Sequence, residues 1–222
     1  MSDISSTAST DTRARLIEAA AAAFFEAGYN VSMDAIAARA GVAKQTLYNH
    51  FASKSLLFSE VVRRDTERMT TALEGRDEDV RPRLVRFGLA FRTLVVGARC
   101  LALHRTLIAE SVRFPEMARA FYDSGPAQTL QELTQLLDEE MKAGRLRDDG
   151  LPGAAAFAAD MLLTMLRGSD HTRYLLCLEQ CDRDADALLL LVERVIDCFL
   201  RAFAPTEAGE VATPARSRST KR

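Results

Sequence analysis

The stretch Ser32–Lys54 reads SMDAIAARAGVAKQTLYNHFASK. Ser32 suits the N-cap of a short helix over 33–40, with Asp34 in the first turn, where a carboxylate meets the positive helix end. Gly41 breaks that helix, and a second short helix is expected over 43–51. Ser53 then caps a longer one starting at Lys54. A helix as short as 43–51 is marginal alone in water, so it must lean on neighbours. Ile36, Val42, Leu47 and Phe51 are spaced to pack against a preceding helix at 11–26. That helix is capped by Thr10, carries a stripe of Leu16, Ala20, Ala23 and Phe24 with Ile17 beside it, and stops near Gly28. Ala37 leaves room for the two short helices to cross. Two short helices joined by a tight glycine turn over a third are a helix-turn-helix in a three-helix unit.

The helix at 43–51 exposes an unusually rich set of hydrogen-bonding groups. Positions 45, 48, 49 and 52 share one face by helical spacing and carry Gln, Tyr, Asn and Ala. Lys44 and Thr46 flank that face and His50 edges it. Gln45 and Asn49 are suited to paired hydrogen bonds with adenine in a major groove, and Lys44 to guanine or phosphate. Thr46 and Tyr48 hydroxyls suit phosphate oxygens, and Lys54 adds charge at the next helix start. The same pattern also fits an ordinary solvated helix face with Tyr48 partly covering a core.

The rest of the chain is expected to be all-α. No stretch sustains period-2 alternation. Leu84, Phe87, Phe91 and Leu94 form one stripe, and Cys100, Leu101, His104, Leu107 and Ile108 the next. Pro115 suits the first turn of a short helix, and Gly125-Pro126 starts another with Leu130, Leu133 and Leu137 inward and Gly144 as its stop. Residues 154–167 are alanine-rich and allow a close helix approach. The last helix opens among Asp182, Asp184 and Asp186. Its row Leu188, Val192, Val195 and Phe199 is a packing seam. A second apolar row, Leu189, Ile196 and Leu200, points to a partner subunit in a two-fold dimer.

The run TRARLIEAAAAAFFEAGYN…SMDAIAARAGVAKQTLYNHFASKSLLF resembles the N-terminal DNA-binding domain of the TetR family of bacterial transcriptional regulators. The likeness rests on IA-x-x-AGV, TLY-x-HF and SK-x-x-L-F. The loop GYNVSMDAIA is one residue shorter than the commonest family form. The stretch LIAESVRFPEMARAFYDSGPAQ…GRLRDD resembles an AefR-like C-terminal ligand-binding domain. Carried over by residue, the resemblance implies base-edge or base-adjacent contacts for Lys44, Gln45 and Asn49. It implies phosphate contacts for Ser32, Thr46, Tyr48, His50 and Lys54. It sets a helix-turn-helix domain at 10–55 and a ligand-binding and dimerisation domain at 56–204, while the Ser/Thr-rich start and the polar end are expected to be a disordered arm at 1–9 and a disordered tail at 205–222.

The resemblance further implies a homodimer on pseudo-palindromic double-stranded operator DNA, released when a small molecule enters the C-terminal domain. Aromatic and flexible apolar groups nominate Phe87, Phe91, His104, Met117, Phe121, Tyr122, Met161 and Met165 for that pocket, each of which also reads as plain core. Their apolar balance favours a hydrophobic or aromatic effector. An activator, or a redox-responsive regulator using Cys177 and Cys181, is the alternative. The commoner reading of the four cysteines is small buried hydrophobes. A net charge of −2 argues against a generic polyanion binder. No phosphate loop, H-E-x-x-H or G-x-S-x-G supports catalysis, and three histidines are too sparse for an obvious metal site. No cofactor is expected. With no signal peptide and no apolar run long enough to span a bilayer, a cytoplasmic location without membrane association is expected.

Overall fold

The computed structural model describes residues 3–75, 79–181 and 184–205. Every regular element among them is helical. The helices are α1 (Asp3–Ala27), α2 (Met33–Ala40), α3 (Lys44–His50), α4 (Lys54–Thr70), α5 (Val80–Val95), α6 (Ala98–Glu110), α7 (Pro115–Ser124), α8 (Pro126–Lys142), α9 (Ala154–Arg167), α10 (Asp170–Leu175) and α11 (Ala185–Ala202).

The caps fall where the side chains can make them. Ser32 Oγ accepts from the Ala35 N–H at 3.1 Å and Ser53 Oγ from the Leu56 N–H at 3.2 Å. Each satisfies one of the unpaired amides of a helix start. Gly41 ends α2 in the left-handed region at φ 66, which a residue with a Cβ adopts only at a cost. The Arg15 guanidinium closes the same corner by donating to the Ala40 carbonyl at 2.7 Å.

Two apolar cores organise the chain. The first gathers Leu16, Ala20, Phe24, Ile36, Leu47 and Phe51 around α1, α2 and α3. It also takes Leu57, Phe58, Val61 and Val62 from α4, Leu107 from α6 and Met117 from α7. The core beneath the helix-turn-helix therefore runs well past residue 55. The second core joins α5, α8, α9 and α11 through Leu84, Phe87, Leu137, Leu162, Val192 and Phe199. Gly88 makes the α5–α11 contact close, since a Cβ there would lie 2.6 Å from Val192 Cγ1.

Several expectations require correction. Helix α1 begins at Asp3, so Thr10 lies inside it rather than capping it, and positions 3–9 of the expected arm are helical. Ser and Thr disfavour a helix interior by only about 0.7 kcal/mol or less per residue, which a continuing helix absorbs. Helix α10 has under two turns and little apolar periodicity to announce it in the sequence. Ile108 leaves its stripe and is 67% exposed. In α11, Ile196 is as fully buried as Val192 and Phe199, because α11 lies between α5 and α9. Its exposed apolar groups are Leu189 and Leu190. Asp184 provides the α11 cap, accepting from the Ala187 N–H at 2.7 Å. Asp182 and the expected tail beyond Pro205 lie outside the described residues.

The cysteines also differ from expectation. Cys177, Cys181 and Cys198 are exposed rather than buried. Cys177 sits beyond the end of α10 at φ 57 and Cys181 in the segment that follows, so the two do not share a helical face. Cys100 alone is partly buried, which pushes its thiol up to about 11.

Candidate nucleic-acid interface and interior cavity

Helix α3 is held from below by Leu47, fully buried, and by Phe51 just after it, 3% exposed. The Arg13 guanidinium lies over the Phe51 ring, 5.2 Å from its centroid. With those anchors fixed, the opposite side of α3 has no freedom to turn inward. Lys44, Gln45, Tyr48 and Asn49 are exposed, and Thr46 and His50 are half-buried.

The exposed groups engage one another. Gln45 Nε2 donates to Asn49 Oδ1 at 3.0 Å, which sets the two amides side by side on one face. Lys44 Nζ bonds Asp34 at 2.9 Å and stands 5.9 Å from the Tyr48 ring centroid. Asp34 thereby raises the Lys44 pKa. These contacts are solvated, so exchanging them for base or phosphate contacts costs little. Ser32, at the α2 start, is exposed beside the same surface, with its hydroxyl occupied in capping.

Lys54 stands apart from this group. Its ammonium donates to the carbonyls of Tyr29 at 2.7 Å and Val31 at 3.3 Å, and lies 4.4 Å from the Tyr29 ring centroid. Burial lowers its pKa. Lys54 thus ties the loop between α1 and α2 to the start of α4. The Tyr29 ring packs against Phe24, Phe58 and Phe114, and its burial pushes the phenol up to about 12. Phe114 immediately precedes α7, so this aromatic cluster joins the helix-turn-helix to the rest of the chain.

Beside α4 lies a cavity of about 1130 Å³, walled by α1 and α4 through α10. Of the nominated pocket residues, Phe91, His104, Phe121 and Tyr122 line it. Phe87 and Met117 do not. Both are fully buried, Phe87 in the second core and Met117 in the first. Met161 and Met165 pack against the second core instead. The lining residues of α9 are Asp160, Leu163, Thr164 and Arg167, a helical face displaced by one position from the methionines. Side-chain flexibility marks the neighbouring face, whereas the mixed polar and apolar spacing of 160, 163, 164 and 167 marks the lining one.

The polar end of the cavity is built around two imidazoles. His104 and His171 stand edge to face with ring centroids 5.7 Å apart. Burial, followed by the repulsion a protonated His171 would exert and by the Arg167 charge, pushes His104 down to about 4. Burial and the charges of Arg167 and Arg92 lower His171 as well. His171 is positioned by its neighbour Asp170, whose carboxylate pairs with the Arg92 guanidinium at 2.7 Å. Arg92 is 1% exposed and also donates to the carbonyls of Leu166 (3.4 Å) and Arg167. One buried cation therefore caps the end of α9 and fixes the start of α10.

Among the described residues no cluster of three or more His, Cys, Asp or Glu is placed to hold a metal ion, and no helix is long and apolar enough to cross a membrane.

A supported helix-turn-helix with a polar outward face, joined by shared cores to a helical body that lines a cavity, defines a class of DNA-binding transcriptional regulator. The comparisons place the chain within it. Residues 16–61 match the bacterial regulatory proteins of the tetR family, and residues 82–205 match the AefR-like transcriptional repressor C-terminal domain. The chain belongs to the TetR family of transcriptional regulators. A putative TetR-family regulator from Mesorhizobium loti superposes with TM-score 0.71 at 25% identity, covering 88% of this chain and 98% of that one. The flavonoid-responsive regulator FrrA superposes with TM-score 0.68 at 32% identity, covering 89% of this chain and all of that one (100%). The HTH-type transcriptional activator FasR of Mycolicibacterium smegmatis is 39% identical over 64 residues. That match covers 28% of this chain and spans only 29% of FasR.

Proposed function

We propose that the chain is a repressor that binds a pseudo-palindromic operator as a homodimer and is released by a small hydrophobic or aromatic effector. The observation that carries this reading is the outward face of α3, with Gln45 and Asn49 paired on it while Leu47 and Phe51 lock the helix from behind. Gln45 and Asn49 are the base readers. Lys44, Thr46, Tyr48 and His50 position the phosphate backbone, with Ser32 at the edge of the surface. Lys54 supports that surface chiefly by fixing the loop before α2.

Dimerisation is supported by exposed apolar groups on adjacent helices, Phe157 on α9 at 65% and Leu190 on α11 at 58%. Large apolar groups left in water on neighbouring helices suit a second copy of the same surface. Release by an effector is supported by the cavity itself. Phe121 and Leu103 line it and also pack against the core beneath the helix-turn-helix, so a ligand that shifts either acts on the DNA-binding unit directly. FrrA is named as flavonoid-responsive, which supports an aromatic effector here.

Fluorescence anisotropy with labelled duplex from the gene's own upstream region, alongside sedimentation velocity, tests the proposal. The expected result is a dimer that prefers that duplex over a shuffled one. A monomer with equal affinity for both would overturn it. Activation is the alternative, favoured by the naming of FasR. Transcription from the same promoter in vitro separates the two, since added protein lowers transcript for a repressor and raises it for an activator.

A further inference from the structure

His171 is a buried polar group that the fold leaves incompletely satisfied. It is 9% exposed, it lines the cavity, and its Nε2 has no hydrogen-bond partner among the described residues. A hydrogen bond to the Val95 backbone favours the protonated ring, which identifies the Val95 group as an accepting carbonyl. With a ring N–H turned toward that carbonyl, the unpartnered Nε2 is left without a proton. In the neutral imidazole the other nitrogen carries a lone pair and can only accept. Burial lowers the ring's pKa from the ordinary histidine value, which favours the neutral form. A buried acceptor without a partner is costly, so Nε2 takes a donor from whatever fills the cavity.

The surroundings specify the rest of that occupant. Phe91 and Phe121 line the cavity, and the His104 ring meets Phe121 edge to face at a centroid distance of 5.2 Å. Such walls favour a flat aromatic ring over a flexible chain. An ionised carboxylate offers only acceptors and would set lone pairs against Nε2. A hydroxyl on an aromatic ring supplies the donor. We infer that His171 Nε2 is the polar anchor of the cavity and selects an aromatic effector bearing a hydrogen-bond-donating hydroxyl. The inference rests on the reading of this cavity as the effector site.

Three naphthalene probes that share one ring system separate the possibilities. Calorimetric titration of the full chain at pH 7 would compare 2-naphthol, 2-methoxynaphthalene and 2-naphthoate. The expected result is that 2-naphthol binds about tenfold more tightly than its methyl ether, the ratio that one buried donor–acceptor pair supports. That ratio collapses toward one in His171→Phe and is retained in part by His171→Gln, whose amide oxygen accepts. If His171→Phe does not fold, the wild-type ratio and His171→Gln still decide. Equal binding of naphthol and ether to the wild type, tightest binding by naphthoate, or a ratio unchanged in His171→Phe overturns the inference. Failure of all three probes to bind also overturns it. Operator binding by the same preparation, measured separately, shows whether the regulator reading survives that outcome.

Discussion

Helix α3 and the cavity both present hydrogen-bonding groups, but they keep them in opposite states. On α3 the amides of Gln45 and Asn49 and the Lys44–Asp34 pair are in water and satisfied by one another. In the cavity the His171 ring is buried and one of its nitrogens finds no partner among the described residues. Solvated groups can change partners cheaply, which suits a surface that must test many DNA sequences before settling on one. A buried, unsatisfied group is selective in a different way. It penalises every occupant that lacks the matching donor.

The contrast breaks first where the buried side is disturbed. Asp170→Ala leaves the Arg92 cation buried without its carboxylate and is expected to destabilise the protein by about 3–5 kcal/mol. Urea denaturation measures this; a loss below about 1 kcal/mol would show that the Arg92–Asp170 pair does not hold the end of α9 against α10. Leu47→Ala removes the anchor beneath α3 and is expected to cost about 2–5 kcal/mol. Its thermal melt should fall and operator binding should fail together. Retention of full DNA affinity would mean that α3 does not depend on that anchor.

On the solvated side, stability and recognition should separate. Gln45→Ala is expected to leave the melt unchanged while relaxing base preference by about 1–3 kcal/mol at one position of each half-site. Lys54→Ala sharpens the comparison, because its ammonium serves the fold through Tyr29 and Val31. It should lower thermal stability as well as DNA affinity for all sequences. An unchanged melt with a flatter salt dependence would return Lys54 to the role of a simple phosphate contact.

A further effect is confined to the acid range. His104 is held down to about 4 by burial, whereas the unfolded chain titrates near the ordinary histidine value of about 6.5. Between those values the unfolded state binds a proton that the folded state refuses. Stability should therefore fall as pH drops from about 6.5 toward about 4 and be insensitive to this group above that window. His104→Phe should flatten that part of the stability profile. An unaltered profile would contradict the burial of His104.

The two regions were unequally legible in the sequence. The helix-turn-helix is written in local signals. Ser32 and Ser53 cap, Gly41 turns, and Leu47 with Phe51 can only point inward. The cavity depends on how distant helices meet. Phe91, His104, Phe121 and Tyr122 could be nominated by side-chain type, but His171 sits on a helix with almost no periodic signal. The lining face of α9 differs from its methionine face by a single position, and only packing against α8, α5 and α11 decides which turns toward the cavity. Lys54 shows the reverse case. Its place at the start of α4 was evident, while its attachment to the Tyr29 and Val31 carbonyls depends on the path of the loop between α1 and α2.

The central claim is that the outward face of α3 reads base edges in duplex DNA. A DNase protection footprint across the gene's own upstream region tests it most directly, comparing wild type with the double variant Gln45→Ala/Asn49→Ala. The account predicts two protected half-sites, related by pseudo-two-fold symmetry, for the wild type, and loss of that pattern in the double variant with its thermal melt unchanged. Identical footprints from the two proteins, or no localised protection by the wild type, would contradict it.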